Sequence, residues 1–328
     1  MPWVDAKDYR NLLRVLFGNP PEVVVTGPRD HPEGLQARVQ LCHDAGKVQF
    51  FGYSVQQMVM NTQIPGLFAI LLYVLAGVLL VRRLLQRGGQ PQPGKRGPIA
   101  LGFGGAALHA SALYPLLVTT GGLNLGFFNA FSFIAVLTVT LLLVAAVSRP
   151  VENLGIVVLP VAALSIAMMF AYPSVHVVGS DVTWQIKLHI LLAITAFSLL
   201  VLAAVQSIML AVQDYLLRAH RPGGLAQALP PMKTMESLLF QLIGAGFILL
   251  STALITGMLF LEDIFAQHLV HKTVLGIAAW LVFAVLLWGR WRFGWRGRIA
   301  IRWTLGGFVF LWLAYLGSKL VLELVLKR

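Results

Sequence analysis

Charged side chains are scarce in this sequence. Asp, Glu, Lys and Arg make up 12% of the 328 residues, whereas hydrophobic residues make up 58%. A soluble domain carries about a quarter charged residues, so this composition excludes an ordinary soluble globular protein. Long uncharged stretches recur instead, close to the roughly 18 to 20 residues that cross the hydrocarbon layer of a bilayer. The composition therefore predicts a chain that crosses a membrane several times.

Eight uncharged stretches are candidate membrane spans. They comprise residues 64–81, 98–118, 131–147, 154–171, 188–212, 238–261, 273–288 and 304–322. A backbone exposed to lipid must satisfy its own hydrogen bonds, so each stretch is expected to be helical. The predicted fold class is all-α: a polytopic membrane protein whose residues 58–328 form a bundle of about eight transmembrane helices.

Cysteine and mid-membrane carboxylates are also nearly absent. The only cysteine, Cys42, precedes the first span, so the membrane part has no thiolate for a disulfide, a metal site or a haem attachment motif. No Asp or Glu lies at mid-depth in a span, which disfavours an ion-coupled transporter. Nucleotide-phosphate loops, nucleophile elbows and zinc-protease motifs are missing as well. Any cofactor is therefore expected to be held by nitrogen, by oxygen or by packing.

Positive charge alternates along the chain, whose net charge is +12. From Met58 onward, 14 of the 19 Lys and Arg residues lie in alternate connections, within residues 82–97, at Arg149, and within residues 213–237 and 289–302. This alternation follows the positive-inside rule. We therefore predict that these connections are cytoplasmic. Both ends of the membrane core are then expected on the periplasmic side of a bacterial inner membrane.

The stretch WGRWRFGWRGRIAIRW, residues 288–303, combines four tryptophans and five arginines without an acid. Tryptophan prefers the headgroup level of a bilayer, and arginine at that level meets anionic lipid. We interpret this stretch as the cytoplasmic connection between helices seven and eight, in contact with the lipid bilayer. A nucleic-acid partner is not expected.

Residues 1–57 do not follow the pattern of the membrane core. They carry six basic and six acidic side chains, and no apolar run is long enough for a signal peptide. Met58 and Met60 stand directly before the first span. We interpret residues 1–57 as an N-terminal extension upstream of the native start, which is expected at one of these methionines. The alternative is a short native extension without stable order.

His109 is the histidine that lies deepest in a predicted span. It sits mid-way along the second stretch, in GFGGAALHASALYPLL, among small residues that allow a neighbouring helix or a flat cofactor to approach. An ionisable group at this depth is a functional candidate. Two interpretations stay open, a ligand and a histidine bonded to a neighbouring helix with a structural effect.

Four further histidines gather at the predicted outer face. His189 begins the fifth span; the others lie in the connections on that side, at His176, His268 and His271. Each alone is compatible with a solvated loop residue. Together they predict a place for a metal or a haem iron, because imidazole is the natural nitrogen ligand. Lys272 beside them either pairs with haem propionates or marks the lipid boundary.

Three segments resemble the integral-membrane cytochrome c assembly proteins, the CcsA, CcmC and HemX relatives. They are AWLVFAVLLWGRWRFGWRGRIAIRWTLGGFVFLWLAYLGSKLV with its basic Gly-Trp-Arg-Gly turn, LHILLAITAFSLLVLAAVQSIMLAVQDYLL with its leading histidine, and LPPMKTMESLLFQLIGAGFILLSTALITGMLF with its Pro-Pro-Met and Glu. The resemblance covers about residues 60–328. It is strongest to the compact inner-membrane YpjD type.

This resemblance implies haem binding at the outer face of the inner membrane, for cytochrome c assembly or for the regulation of haem synthesis. It implies His189 and His109 as candidate axial ligands of a haem b iron. His268, His271 and Lys272 are the further candidate haem contacts. The implied partners are haem and apocytochrome c or other membrane assembly proteins.

The sequence departs from the larger family members before the seventh span. That connection reads FAQHLVHK and lacks their tryptophan-rich segment. We therefore expect binding, shuttling or regulation of haem, and no enzymatic haem attachment. Two alternatives remain: a cofactor-free accessory or regulatory subunit of another membrane complex, and a small-molecule transporter, which would require inverted repeats or broken helices.

Overall fold

The structure is a computed structural model that describes residues 42–43, 46–47, 55–86, 94–119, 122–172, 177–179, 183–219, 229–260 and 267–317. The chain divides into two compact units, Met1–Gln63 and Ile64–Arg328. In the first unit, strands β1 (Cys42–His43) and β2 (Gly46–Lys47) pair antiparallel. Most of residues 1–57 lie outside the described part, so their interpretation as an upstream extension stays a prediction.

Eight α-helices account for almost all of the described residues, which confirms the predicted all-α class. They are α1 (Val55–Leu85), α2 (Arg96–Leu117), α3 (Phe127–Ser148), α4 (Gly155–Ala171), α5 (Trp184–Arg218), α6 (Met232–Phe260), α7 (Gln267–Phe293) and α8 (Arg298–Trp312). Within the described ranges, the first seven are long and apolar enough to cross a membrane. Helices α2 and α4 continue through Pro115 and Pro160.

The eighth helix differs in its bounds from the predicted span 304–322. It begins at Arg298, six residues earlier, and after Trp312 it widens into a π-helical turn over Leu313–Gly317. Hydropathy misses this start because Arg298 and Arg302 are charged. Both side chains are exposed, so they are accommodated in the helix. Residues 318–322 of the predicted span lie outside the described part.

Contacts between helix ends define two ends of the bundle: Lys95 before α2 bonds Ala146 at the end of α3, Arg83 at the end of α1 pairs with Glu152 before α4, and Glu236 at the start of α6 bonds Gly297 before α8. His189, near the start of α5, bonds the end of α6, whereas Gln213, near the end of α5, bonds Pro230 just before α6. We call one end the basic end; it holds the connections α1–α2, α3–α4, α5–α6 and α7–α8. The opposite end, where α2, α4, α6 and α8 finish, we call the sheet end.

A small sheet gives the sheet end its name. Strands β3 (Val118–Thr119), β4 (Gly122–Asn124) and β5 (Val177–Gly179) pair antiparallel in the order β3-β4-β5. The first two strands follow α2, and the third precedes α5. The sheet therefore joins the α2–α3 connection to the α4–α5 connection, directly before the helix that carries His189.

Buried apolar side chains form two packed cores, one mainly among α1–α4 and one mainly among α5–α8. Glycines allow close contact in the first core, as the small residues around His109 predict. A Cβ at Gly102 would lie 2.8 Å from the side chain of Leu143 on α3, and one at Gly105 would lie 2.8 Å from the ring of Tyr73 on α1. The small-residue face of α2 is thus a helix-packing face.

Large apolar side chains also cover much of the outer surface. On α1 alone, Leu67, Phe68 and Leu71 are each more than half exposed. Contiguous apolar surface of this extent is unfavourable in water but is what lipid requires. The surface therefore agrees with the composition: this is a membrane protein.

The connection between α7 and α8 is a tight turn at the basic end. Gly294 and Gly297 adopt positive φ angles of 66° and 54°, which glycine tolerates without strain. Trp288 and Trp291 are exposed on the last turns of α7, consistent with the interfacial interpretation of this stretch. Arg290 differs, because its guanidinium lies 4.6 Å above the ring of Phe240 inside the bundle.

Candidate functional site

His189 lies on the second turn of α5 at the sheet end, where it is half-buried against α6. Its Nδ1 is 2.9 Å from the carbonyl oxygen of Ala253 and 3.2 Å from Oγ1 of Thr256. A carbonyl can only accept a hydrogen bond, so Nδ1 carries the proton and donates. Nε2 is then left with its lone pair, and it has no hydrogen-bond partner among the described residues.

Gly257 allows the ring of His189 to lie directly on the α6 backbone. A Cβ at this position would be 3.0 Å from Cε1 of the ring and 3.4 Å from Nδ1. Any larger residue would force the ring or the α6 backbone to shift by a few tenths of an ångström. Gly257, Thr256 and the Ala253 carbonyl together form a cradle, which we call the α6 cradle, and it orients the imidazole.

This arrangement is the one that metal-binding histidines use. Such a histidine almost always donates its second ring N–H to a carboxylate or a backbone carbonyl, which sets the tautomer and the direction of the ligating nitrogen. In His189 the donor is Nδ1 and the available ligand atom is Nε2. Within the described ranges, no group of three His, Cys, Asp or Glu side chains is placed to hold a metal ion by itself.

His109 occupies a different environment, fully buried among α1, α2 and α3. Its Nε2 lies 2.7 Å from Oγ of Ser132, and its Nδ1 lies 3.3 Å from the hydroxyl of Tyr73. Both ring nitrogens are therefore occupied by neighbouring helices. Ligation of an iron by His109 would require one of these two hydrogen bonds to break.

His109 and His189 share no hydrogen-bond partner among the described residues. His109 bonds side chains of α1 and α3, whereas His189 bonds α6. Their packing also differs, since His109 belongs with the α1–α4 core and His189 with the α5–α6 contact. A single iron bridging both is not supported by these contacts.

The structure describes the other candidate haem contacts predicted from the sequence only in part. His268 and His271 stand on the first two turns of α7, so their backbones have the helical spacing that places both on one side. Their side chains lie outside the described part, as do His176 and His220. Lys272 is half-buried on the same turns of α7, at the sheet end with His189.

The residues that orient the two histidines do not stand out in the sequence. Gly257, Thr256, Tyr73 and Ser132 are ordinary residues for a transmembrane helix. The contacts join residues 36, 23 and 67 positions apart, and sequence periodicity gives no information on such pairs. The signal that exists is local: Thr252, Thr256 and Gly257 lie close together near the end of α6, in STALITG.

Two segments singled out by sequence meet at the basic end. The carboxylate of Glu236, from the Pro-Pro-Met segment, accepts the backbone N–H of Gly297 in the Gly-Trp-Arg-Gly turn at 2.7 Å. Asp214, near the end of α5, pairs with both Arg218 and Arg298 at 3.0 Å. These contacts hold α5, α6 and α8 together on the side opposite His189.

The sequence is similar to a known protein family. The family described as Cytochrome C assembly protein matches residues 100–326. The chain is 31% identical over 265 residues to the inner membrane protein YpjD of Escherichia coli (strain K12), a match that covers 79% of this chain and 98% of that protein.

A shorter part of the chain is similar to cytochrome c biogenesis proteins named CcsA. It is 32% identical over 97 residues to the cytochrome c biogenesis protein CcsA of Trichormus variabilis, covering 29% of this chain and 28% of that protein. The CcsA protein of Microcystis aeruginosa matches equally over 97 residues, which is 30% of its length. No solved structure matches the chain.

Proposed function

We propose that this chain, which belongs to the cytochrome c assembly protein family, binds haem at the outer face of a bacterial inner membrane. The family match and the membrane-spanning helices show that the chain is a membrane protein of this family. Haem as the ligand, its place in the protein and the orientation of the bundle are inferred.

His189 is the proposed axial ligand of the iron, and its hydrogen bonding is the observation that carries the proposal. Donation from Nδ1 to the Ala253 carbonyl leaves Nε2 as an oriented lone pair. A haem iron already has four pyrrole nitrogens and needs only axial ligands from the protein. One oriented imidazole therefore fits a haem better than it fits a free metal ion, which requires several protein ligands.

Further contacts are proposed from the same end of the bundle. His268 or His271, at the start of α7, is the proposed second axial ligand, and Lys272 is a proposed partner for a propionate. His109 is the less favoured axial candidate, because both of its nitrogens are already bonded to hydroxyls. Haem b is the proposed form, since the membrane core has no cysteine for covalent attachment.

The proposed role is cytochrome c assembly or another form of haem handling, with apocytochrome c or a membrane assembly protein as the partner. Binding, shuttling and regulation need only reversible ligation by His189. Covalent attachment of haem is not proposed, because the connection before α7 has no tryptophan.

The test is haem uptake by the purified, detergent-solubilised protein. Wild-type protein titrated with haemin is expected to develop a Soret band with a defined stoichiometry, and His189→Ala is expected to lose it. His109→Gln serves as the matched control and is expected to keep the band. Loss of the band in His109→Gln alone would move the ligand to α2. A wild-type protein that takes up no haem would point instead to a cofactor-free accessory subunit.

A further inference from the structure

Gln185 lies one helical turn before His189 on the same face of α5. Side chains four residues apart on a helix are neighbours, with Cβ atoms about 5–6 Å apart. Gln185 is in the first turn of α5, which begins at Trp184, so it lies nearer the sheet end of the bundle than His189. The Gln185 side chain is therefore the neighbour of the His189 ring on the side toward that end.

The side-chain amide of Gln185 has an unsatisfied atom. Its Oε1 is buried and has no hydrogen-bond partner among the described residues. Buried polar atoms are almost always paired, so an unpaired one calls for a missing partner such as a ligand. A glutamine amide can also turn over and present its N–H₂ group in the same place, because its two ends are nearly identical in shape.

The start of α5 favours a negatively charged partner. The N-cap residue Thr183 makes no side-chain hydrogen bond to the first turn, so the positive end of the helix dipole is not screened by a capping oxygen. Lys187 lies on the same first turns. Helix N-termini with free N–H groups are favourable places for carboxylates.

We propose that Gln185 donates a hydrogen bond to a propionate carboxylate of the haem held by His189. This inference rests on the proposed function and adds a recognition element to it: the haem is oriented by two residues of α5, one binding the iron and one binding its polar edge. Gln185 thereby distinguishes a tetrapyrrole with free carboxylates from one without them.

The experiment compares haem with its dimethyl ester, in which both propionates are blocked. Wild-type protein, Gln185→Leu and Gln185→Glu are titrated with each ligand in detergent, and Kd is taken from the Soret band. Gln241→Leu is the matched control, because Gln241 is an exposed glutamine of α6 bonded only to Ser237 in the described part. A thermal melt of each variant checks that it is folded.

A hydrogen bond to a charged group supports a change of about tenfold or more in Kd. Gln185→Leu is expected to bind haem about tenfold more weakly than wild type and to bind the dimethyl ester with unchanged Kd. Gln185→Glu is expected to weaken haem binding further by repulsion between carboxylates, and Gln241→Leu to behave as wild type.

The inference is overturned if wild-type protein binds both ligands equally well, or if Gln185→Leu keeps the wild-type ratio of the two Kd values. In those outcomes haem binding at His189 still stands. If neither ligand gives a Soret band with wild-type protein, the proposed function itself fails, and this inference fails with it.

Discussion

The imidazole rings of His189 and His109 differ in how many of their nitrogens are hydrogen-bonded. The ring of His189 donates from Nδ1 to a backbone carbonyl and keeps Nε2 available. The ring of His109 uses both nitrogens to join Tyr73 of α1 and Ser132 of α3 to its own helix. The first arrangement suits a ligand, as we propose. The second is a clasp between three helices, whose loss would leave buried polar atoms unpaired.

Gly257→Ala tests the α6 cradle at the residue scale. The added methyl group would lie 3.0 Å from Cε1 of His189, so the ring must shift by a few tenths of an ångström and its hydrogen bond to the Ala253 carbonyl is strained. Because loss of an orienting contact typically costs 10- to 100-fold in metal affinity, we expect haem Kd to rise by about tenfold. The measurement is the same Soret titration.

Gly244→Ala is the control for this substitution, because a Cβ there meets nothing within 4 Å on the same helix. It is expected to leave haem Kd unchanged and to stabilise α6 slightly, as alanine does in helix interiors. Equal haem affinity in Gly257→Ala and wild type would show that the cradle does not orient the ligand.

Ser132→Ala tests the clasp around His109. The substitution leaves the buried Nε2 of His109 without a partner, so we expect a loss of about 1–3 kcal/mol in the free energy of unfolding. Haem Kd is expected to stay at the wild-type value. Denaturant unfolding in detergent measures the first quantity and the Soret titration the second.

Ser165→Ala provides the comparison for Ser132→Ala. Ser165 is equally buried, but its hydroxyl bonds only the carbonyl of Ala162 in its own helix. Its removal leaves no second side chain unpaired, and we expect a small effect. If the two serine variants unfold alike, the clasp contributes no more than an ordinary buried hydroxyl.

At the scale of elements, the α7–α8 turn is held by another helix as well as by its own geometry. Glu236 near the start of α6 accepts the N–H of Gly297, the residue that caps α8. An anionic acceptor at a helix N-terminus also interacts favourably with the helix dipole. One carboxylate thus fixes both the start of α8 and its distance from α6.

Glu236→Leu is expected to loosen this turn. The N–H of Gly297 loses its acceptor, and we expect the free energy of unfolding to fall by about 1–3 kcal/mol, with faster trypsin cleavage at Arg296 and Arg298. Glu236→Gln keeps an accepting oxygen and is expected to recover most of the stability. Identical cleavage rates in the leucine variant and wild type would refute the role of this contact.

At the scale of the whole molecule, most of the described positive charge lies at the end opposite His189. Within the second unit, the described Lys and Arg residues gather at the basic end, apart from Lys187 near His189 and Lys272 on the first turns of α7. Under the positive-inside rule this asymmetry orients the bundle. If the basic end is cytoplasmic, as this rule predicts, the proposed haem site at the sheet end faces the periplasmic side.

Single cysteines at the two ends of α5 test this orientation. In a Cys42→Ser background, Thr183→Cys and Ala219→Cys each place one thiol at an exposed position, at the sheet end and the basic end respectively. We expect a membrane-impermeant maleimide to label Thr183→Cys in intact spheroplasts and Ala219→Cys only after lysis. The reverse pattern would put His189 on the cytoplasmic side and remove the proposed site from the outer face.

The sequence by itself determined the fold class, the approximate spans and the family. Hydrophobic length and charge are summed over many residues, so local errors cancel, and the cost of burying charge in lipid leaves few alternatives. The predicted spans overlap α1–α7 in order, but α1, α6 and α7 each begin six or more residues before the predicted start, and α5 continues past residue 212 to Arg218. There the helix extends into polar sequence, and hydropathy no longer marks its end.

Only the tertiary structure decided how the two histidines differ. His109 and His189 were both candidate ligands, and their sequence positions, mid-span and at the start of a span, do not show which ring nitrogens are bonded. The distinction comes from contacts with Ser132 and Tyr73 on one side and with the α6 cradle on the other, between residues far apart in the chain. An imidazole's availability depends on which of its nitrogens is already bonded, and that depends on how the helices pack.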